Sequence, residues 1–142
     1  MIARNDTIRE CAECSANIDV VGACRCTLSL CAVCGDTEYS SAGDGFEDST
    51  VVIRDPEGSE TLLPLRLDVQ NHSPTGFSWG YFGSGPAQLA LAICCDALGD
   101  ERGSKPECYM KFKDEVVARI PQGKPWALCR ALVITWARSA GF

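Results

Sequence analysis

Apolar positions from Val51 to Val69 come in short runs broken by turn residues. Val51-Val52-Ile53 is followed by Asp55-Pro56-Glu57-Gly58, then by Leu62-Leu63 and, after Pro64, by Leu65-Arg66-Leu67-Asp68-Val69. Short apolar runs on either side of a Pro/Gly turn predict a β-hairpin. The strict alternation after it predicts another short strand, with Leu65, Leu67 and Val69 toward the core and Arg66 and Asp68 toward water.

The pattern changes after residue 83. In "GPAQLALAICCDALG", Leu89, Leu91, Ala92, Ile93, Cys94, Cys95 and Leu98 point in nearly every direction around a helix. Such a helix is buried on most sides and central to its domain. Pro86 suits its first position, Ser84 or Gly85 its cap, and Gly99 its left-handed stop. Cys94 and Cys95 are read as small core residues.

In "PECYMKFKDEVVARIP", Tyr109, Phe112, Val116 and Ile120 recur at helical spacing, with Lys111, Lys113, Asp114, Glu115 and Arg119 on a solvated face and Pro121 as the stop. A third helix is expected from about Leu128 to Arg138, with Leu128, Leu132 and Trp136 on one stripe. Trp126 should pack back into the same core.

Upstream of the hairpin, "DTEYSSAGDGFED" (residues 36–48) is polar and acidic, and reads as an exposed linker. It would separate a front module, residues 1–40, from a core domain, residues 41–142. The front module holds six of the chain's 10 cysteines, in "CAECSANIDVVGACRCTLSLCAVCG". Cys11 and Cys14 form one C-x-x-C pair and Cys31 and Cys34 another, with sixteen residues between the pairs. Each such turn aims two thiolates at one ion, and two turns complete a tetrahedral site. Cys24 and Cys26 are alternates, since Cys11, Cys14, Cys24 and Cys26 would also close a site; the near-duplicate outer pairs are favoured. Zinc is the expected metal. With four thiolates around it no coordination position stays open, so its role would be structural.

The expected fold class is therefore α+β, with a small zinc-ribbon-like module followed by a short antiparallel hairpin or sheet packed on about three helices. Size agrees, since 142 residues suffice for one core and a small attachment.

Charge narrows the partners. The net charge is −6, and the acidity lies at the front: residues 1–72 hold 5 basic and 13 acidic side chains, residues 73–142 hold 8 and 6. That field repels phosphate backbones, so nucleic acid is disfavoured as a partner. Arg4, Arg9 and Arg25 keep binding through the zinc module as an alternative. The charged start "MIARNDTIRECAEC" lacks the apolar stretch of a secretion signal and no segment reaches the length of a membrane span. A cytoplasmic location is expected, with no membrane partner.

One loop carries the remaining candidate chemistry. "GFSWGYFGSGPAQ" sets Trp79, Tyr81 and Phe82 among glycines immediately before the central helix. Free N–H groups at a helix start bind anions, and in a binding loop of His72, Trp79, Tyr81, Phe82, Gly83, Ser84 and Gly85 the glycines Gly83 and Gly85 would permit close approach of a phosphate. No lysine follows the glycines, however, and Pro86 removes one donor. A tight aromatic turn that packs Trp79, Tyr81 and Phe82 against the strands fits these residues better, with an exposed aromatic tip as a contact surface the remaining functional reading. His72, the only histidine, reads as part of a hydrogen-bonded turn at a strand end. A catalytic role would need a partner such as Asp68, Asp96 or a cysteine. No catalytic residue is assigned.

The blocks "NHSPTGF", "WGY" and "GSGPAQLALA", with "YMKFKDEVVARIP" and the later Trp126, resemble the domain of unknown function family 6166 over about Leu65 to Trp126. This chain departs from that pattern at Phe82, Cys94, Cys95 and Cys129, and the cysteine-rich front is an addition to it. The resemblance implies no activity. It implies a setting in phages, plasmids and other mobile elements, within a host cytoplasm. The combined expectation is a small non-enzymatic protein-interaction protein with a structural zinc and a protein partner, its anti-defence or host-modulating role suggested by the family's setting alone. The alternative is a small enzyme or a nucleotide- or phosphate-binding protein using the glycine-rich helix start.

Overall fold

The computed structural model describes residues 36–142. Cys11, Cys14, Cys24, Cys26, Cys31 and Cys34, and the zinc module expected on them, lie outside the described residues.

Four strands form one antiparallel sheet: β1 (Glu38–Ala42), β2 (Thr50–Arg54), β3 (Glu60–Leu62) and β4 (Ala127–Cys129), in the order β3-β2-β1-β4. The expected hairpin is β2–β3. Asp55 closes its turn, accepting from the backbone N–H groups of Glu57 and Ser59 through its carboxylate. Part of the segment expected to be an exposed linker, Glu38–Ala42, is instead an inner strand of the sheet, while most of residues 43–48 are exposed loop. In β1, Tyr39 pairs with Ile53 on one side and Leu128 on the other, and is fully buried.

The helical layer is α1 (Ser84–Leu98), the single turn α2 (Asp100–Gly103), α3 (Pro106–Glu115) and α4 (Arg130–Ala140). As expected, α1 is the centre of the core, buried from Gly85 through Cys95 and again at Leu98. Its cap is Gly83, just before the expected Ser84 or Gly85, so Pro86 is the third helical residue and not the first, still inside the first turn, where no helical acceptor is lost. Gly99 at φ 90 ends it and donates its N–H to the Cys95 carbonyl. Tyr109, Phe112, Val116 and Ile120 are all buried as their spacing predicts. The α-helix nevertheless stops at Glu115, and a 3-10 turn, Val117–Arg119, carries the chain to Ile120.

Two expected elements are corrected. Leu128 lies on β4, and the last helix begins only at Arg130, so Val133 and Ala137 become its most buried positions. Leu65 to Val69 is no strand. Arg66 takes a left-handed conformation (φ 63), and its carbonyl accepts from Val69 and Gln70 in a tight turn. Pro64 offers no ladder donor, and the Arg66 guanidinium folds back between Asp68 and Asp100. Leu65 and Val69 still pack on the core, whereas Leu67 is exposed.

A polar cluster joins the layers. The Tyr39 hydroxyl donates to Asp96 of α1 at 2.6 Å, and Arg130 at the start of α4 approaches the same carboxylate at 3.7 Å. Burial, and then the Asp96 carboxylate, push the Tyr39 phenol far above the usual range, so it remains a donor.

Candidate functional site

Three loops meet at one end of the sheet: the β1–β2 connection (residues 43–49), the glycine-rich loop (76–83) and the segment after the 3-10 turn (120–125). Backbone bonds lace them together. Ser49 and Phe77 exchange both N–H···O bonds, Trp79 donates to the Gly45 carbonyl, Gly80 to Val117 and Gly123 to Asp44. The Gln122 side-chain amide adds a donor to the Gly45 carbonyl.

Beneath the lacing sits Trp79, fully buried and edge-on to Trp126 at 5.3 Å between ring centroids. Trp79 is thus packed inward as expected, whereas Tyr81 and Phe82, expected to pack with it, are exposed. Gly45, at φ 89, lies directly on its indole; a Cβ there would come 2.5 Å from Trp79 Cε2. Above the lacing, Tyr81 is 41% exposed and Phe82 67%. On the neighbouring loop Phe46 is 54% exposed, flanked by exposed Asp44, Glu47 and Asp48. The structure thus adds Phe46 to Tyr81 and Phe82 as an outward aromatic on this platform. No periodicity marks a single Phe in an acidic loop, so only the fold reveals it.

The helix start is filled by the chain itself. Ser78 sits against Gly85, where a Cβ would overlap the Ser78 hydroxyl oxygen and lie 2.9 Å from its Cβ. That hydroxyl is bonded to the Tyr81 phenol at 2.9 Å, and the Tyr81 ring covers Gly83. Gly83 and Gly85 therefore make room for Ser78 and Tyr81.

His72 lies elsewhere, and its partners were not legible in sequence. Gln88, fully buried in α1, accepts the backbone N–H groups of His72 (2.6 Å) and Ser73 (2.8 Å) through its side-chain oxygen. Its amide nitrogen donates to the carbonyls of Leu65 (2.6 Å) and Gln70 (3.1 Å). One side chain thus satisfies four backbone groups of a loop that has no ladder of its own. His72 Nε2 is 2.9 Å from the Tyr109 hydroxyl, a partner other than the Asp68, Asp96 or cysteine that a catalytic role suggested. Burial, and secondarily the charge of Lys113, lower the His72 pKa.

The family model of a family of unknown function, DUF6166, matches residues 41–139. The chain belongs to DUF6166. The match extends the resemblance at both ends, to include the β2–β3 hairpin and nearly all of α4. The comparisons found no matching curated protein and no matching solved structure. In this DUF6166 domain the three-loop platform, His72, Gln88 and Tyr109 all fall within the matched residues.

Two cysteines behave as expected of core residues. Cys94 and Cys95 are buried, and burial raises both thiols, that of Cys95 to about 11, where a thiolate nucleophile is not available at neutral pH. Among the described residues no helix is long and apolar enough to cross a membrane, and no group of three or more His, Cys, Asp or Glu side chains is placed to hold a metal.

Proposed function

We propose that this DUF6166 protein is a non-enzymatic interaction module that docks a protein partner on its three-loop platform. The observation that carries this reading is the contrast within one laced structure: Phe46, Tyr81 and Phe82 face solvent while the backbone beneath them is fixed to the core. Exposed aromatics on a pre-organised scaffold lose little freedom on binding and supply the large apolar contacts typical of interface hot spots. Asp44, Glu47 and Asp48 beside them suit a partner whose apolar pocket is rimmed by Lys and Arg.

A structural zinc on Cys11, Cys14, Cys31 and Cys34 belongs to the same proposal, and metal analysis of the full chain tests it: one zinc per chain supports it, none opposes it. The setting in a mobile element, with an anti-defence or host-modulating role in the host cytoplasm, rests on the family resemblance. Phosphate or nucleotide binding at Gly83–Gly85 draws less support, because Ser78 and Tyr81 occupy the ground in front of those glycines. The acidic front of the chain likewise weighs against nucleic acid.

The test is quantitative affinity capture from the cell that naturally carries the gene, using the full chain and its Phe46→Ser/Phe82→Ser variant. A protein retained by the native chain and lost by a variant of unchanged melting temperature supports the platform. Equal retention by both overturns it.

A further inference from the structure

The sheet has two faces. Register places Tyr39, Ile53, Thr61 and Leu128 in one row, with Val51 and Leu63 beyond, and all but Thr61 of these pack on the helical core. The opposite face carries a charged row, Glu38, Arg54 and Glu60, linked by ion pairs of 3.4 Å, and a row of Ala127, Ser40, Val52 and Leu62. Ala127, Cys129, Val52 and Leu62 take no part in the core cluster.

Burial across this second face is graded. At its β1–β4 side, Glu38, Cys129 and Ala127 are only 3%, 5% and 7% exposed. Val52 and Arg54 on β2 are half-buried, and at the β3 edge Leu62 is 63% exposed. Ala127 and Cys129 lie outside the core cluster that includes the helices, so that cluster does not account for their burial.

The chain enters on the same side. Thr37 is buried, and its carbonyl accepts the Arg130 N–H at 2.8 Å, extending the β1–β4 pairing toward residue 36. The first described residues, Asp36 and Thr37, therefore lead into the most buried part of the face. The sequence before them, residues 1–35, carries apolar side chains, among them Ile18, Val20, Val21, Leu28, Leu30 and Val33, and a segment of that length builds little core of its own.

We propose that residues 1–35 of the same chain dock on the β1–β4 half of the sheet face opposite the helices, making the cysteine-rich front and the DUF6166 domain one folded body. The proposal does not depend on zinc, since it requires only that the segment bury its apolar side chains on this face. It makes the β1–β4 half of the sheet the middle layer of a three-layer stack, with helices on one side and the front segment on the other.

The test uses the full chain with a benzoylphenylalanine photo-cross-linker in place of Ser40, on the middle of the face. Intramolecular cross-links into peptides from residues 1–35 are expected. Covalent dimers would assign the face to a second copy, and an absence of cross-links would leave it uncovered; either result overturns the proposal. Because a bulky group at residue 40 could disturb folding, Ala127→Glu with hydrogen exchange gives a second measurement. Amides of residues 1–35 should exchange at least tenfold faster than in the native chain, while those of α1 stay protected. Unchanged exchange in residues 1–35 of a folded variant contradicts the proposal.

Discussion

The hydroxyl of Ser78 lies in the space that a side chain on Gly85 would need, so the start of the central helix is closed by the chain's own loop. This makes Gly85 a packing requirement. Gly85→Ala forces the overlap and should cost about 1–3 kcal/mol, as overpacking of a tight core does. Ser78→Gly removes the obstructing side chain, so the double variant should recover part of the loss. Urea denaturation of the two single variants and the double measures this, and strict additivity would refute it.

Arg66 is held in the left-handed region by a turn that its own guanidinium clamps to Asp68 and Asp100. A non-glycine residue there carries roughly 1–2 kcal/mol of strain, partly offset by the greater freedom of unfolded glycine. Arg66→Gly should therefore be more stable than Arg66→Ala by about 0.5–1 kcal/mol, although both lose the clamp. A more stable alanine variant in the same denaturation series would show that the turn is not held as described.

His72 should make stability fall on mild acidification. Its folded pKa is lowered, by burial first and Lys113 second, so the unfolded chain takes up the proton first as pH drops. Stability is then full above the unfolded value of about 6.5 and declines as pH falls from there toward the lowered folded value. Melting temperatures of the native chain should fall between pH 7.5 and 5.5, and those of His72→Gln should fall less. Parallel pH profiles for the two proteins would remove His72 from the account.

The elements that announce themselves in the sequence are those whose apolar pattern agrees with their final packing. The β2–β3 hairpin has its Pro/Gly turn, α1 is apolar all round, and α3 shows Tyr109, Phe112 and Val116 at helical spacing. Strand β1 was hidden because "EYSSA" offers one large apolar side chain, Tyr39, and owes its place to partners on both sides, β2 and β4. Strand β4 spans three residues and merges into the periodicity of α4, so Leu128 reads as helical. The turn at Arg66 was missed because its alternation mimics a strand, while the groups that hold it, Asp100 and Gln88, lie far along the chain.

The site was legible in the same uneven way. The glycines on both sides of the aromatics mark a tight turn, and Trp79 packs inward as such a turn suggests. Tyr81 and Phe82 look equivalent to it in sequence but are exposed, a difference set by Trp126 and Gly45, which enclose Trp79 from other segments. Gln88 carried a faint signal, as the one amide in an otherwise apolar stretch, yet its four backbone partners depend on a loop path that local pattern does not contain. The His72–Tyr109 pair depends on that path too.

The most direct measurement for the interaction reading is hydrogen exchange on the full chain, free and saturated with the protein partner recovered by affinity capture. Slowed exchange confined to residues 43–49 and 76–83 is the predicted result. Protection that leaves both loops unchanged and falls instead on residues 66–73 and α3 would contradict the account and move the functional surface to the His72–Tyr109 side of the domain.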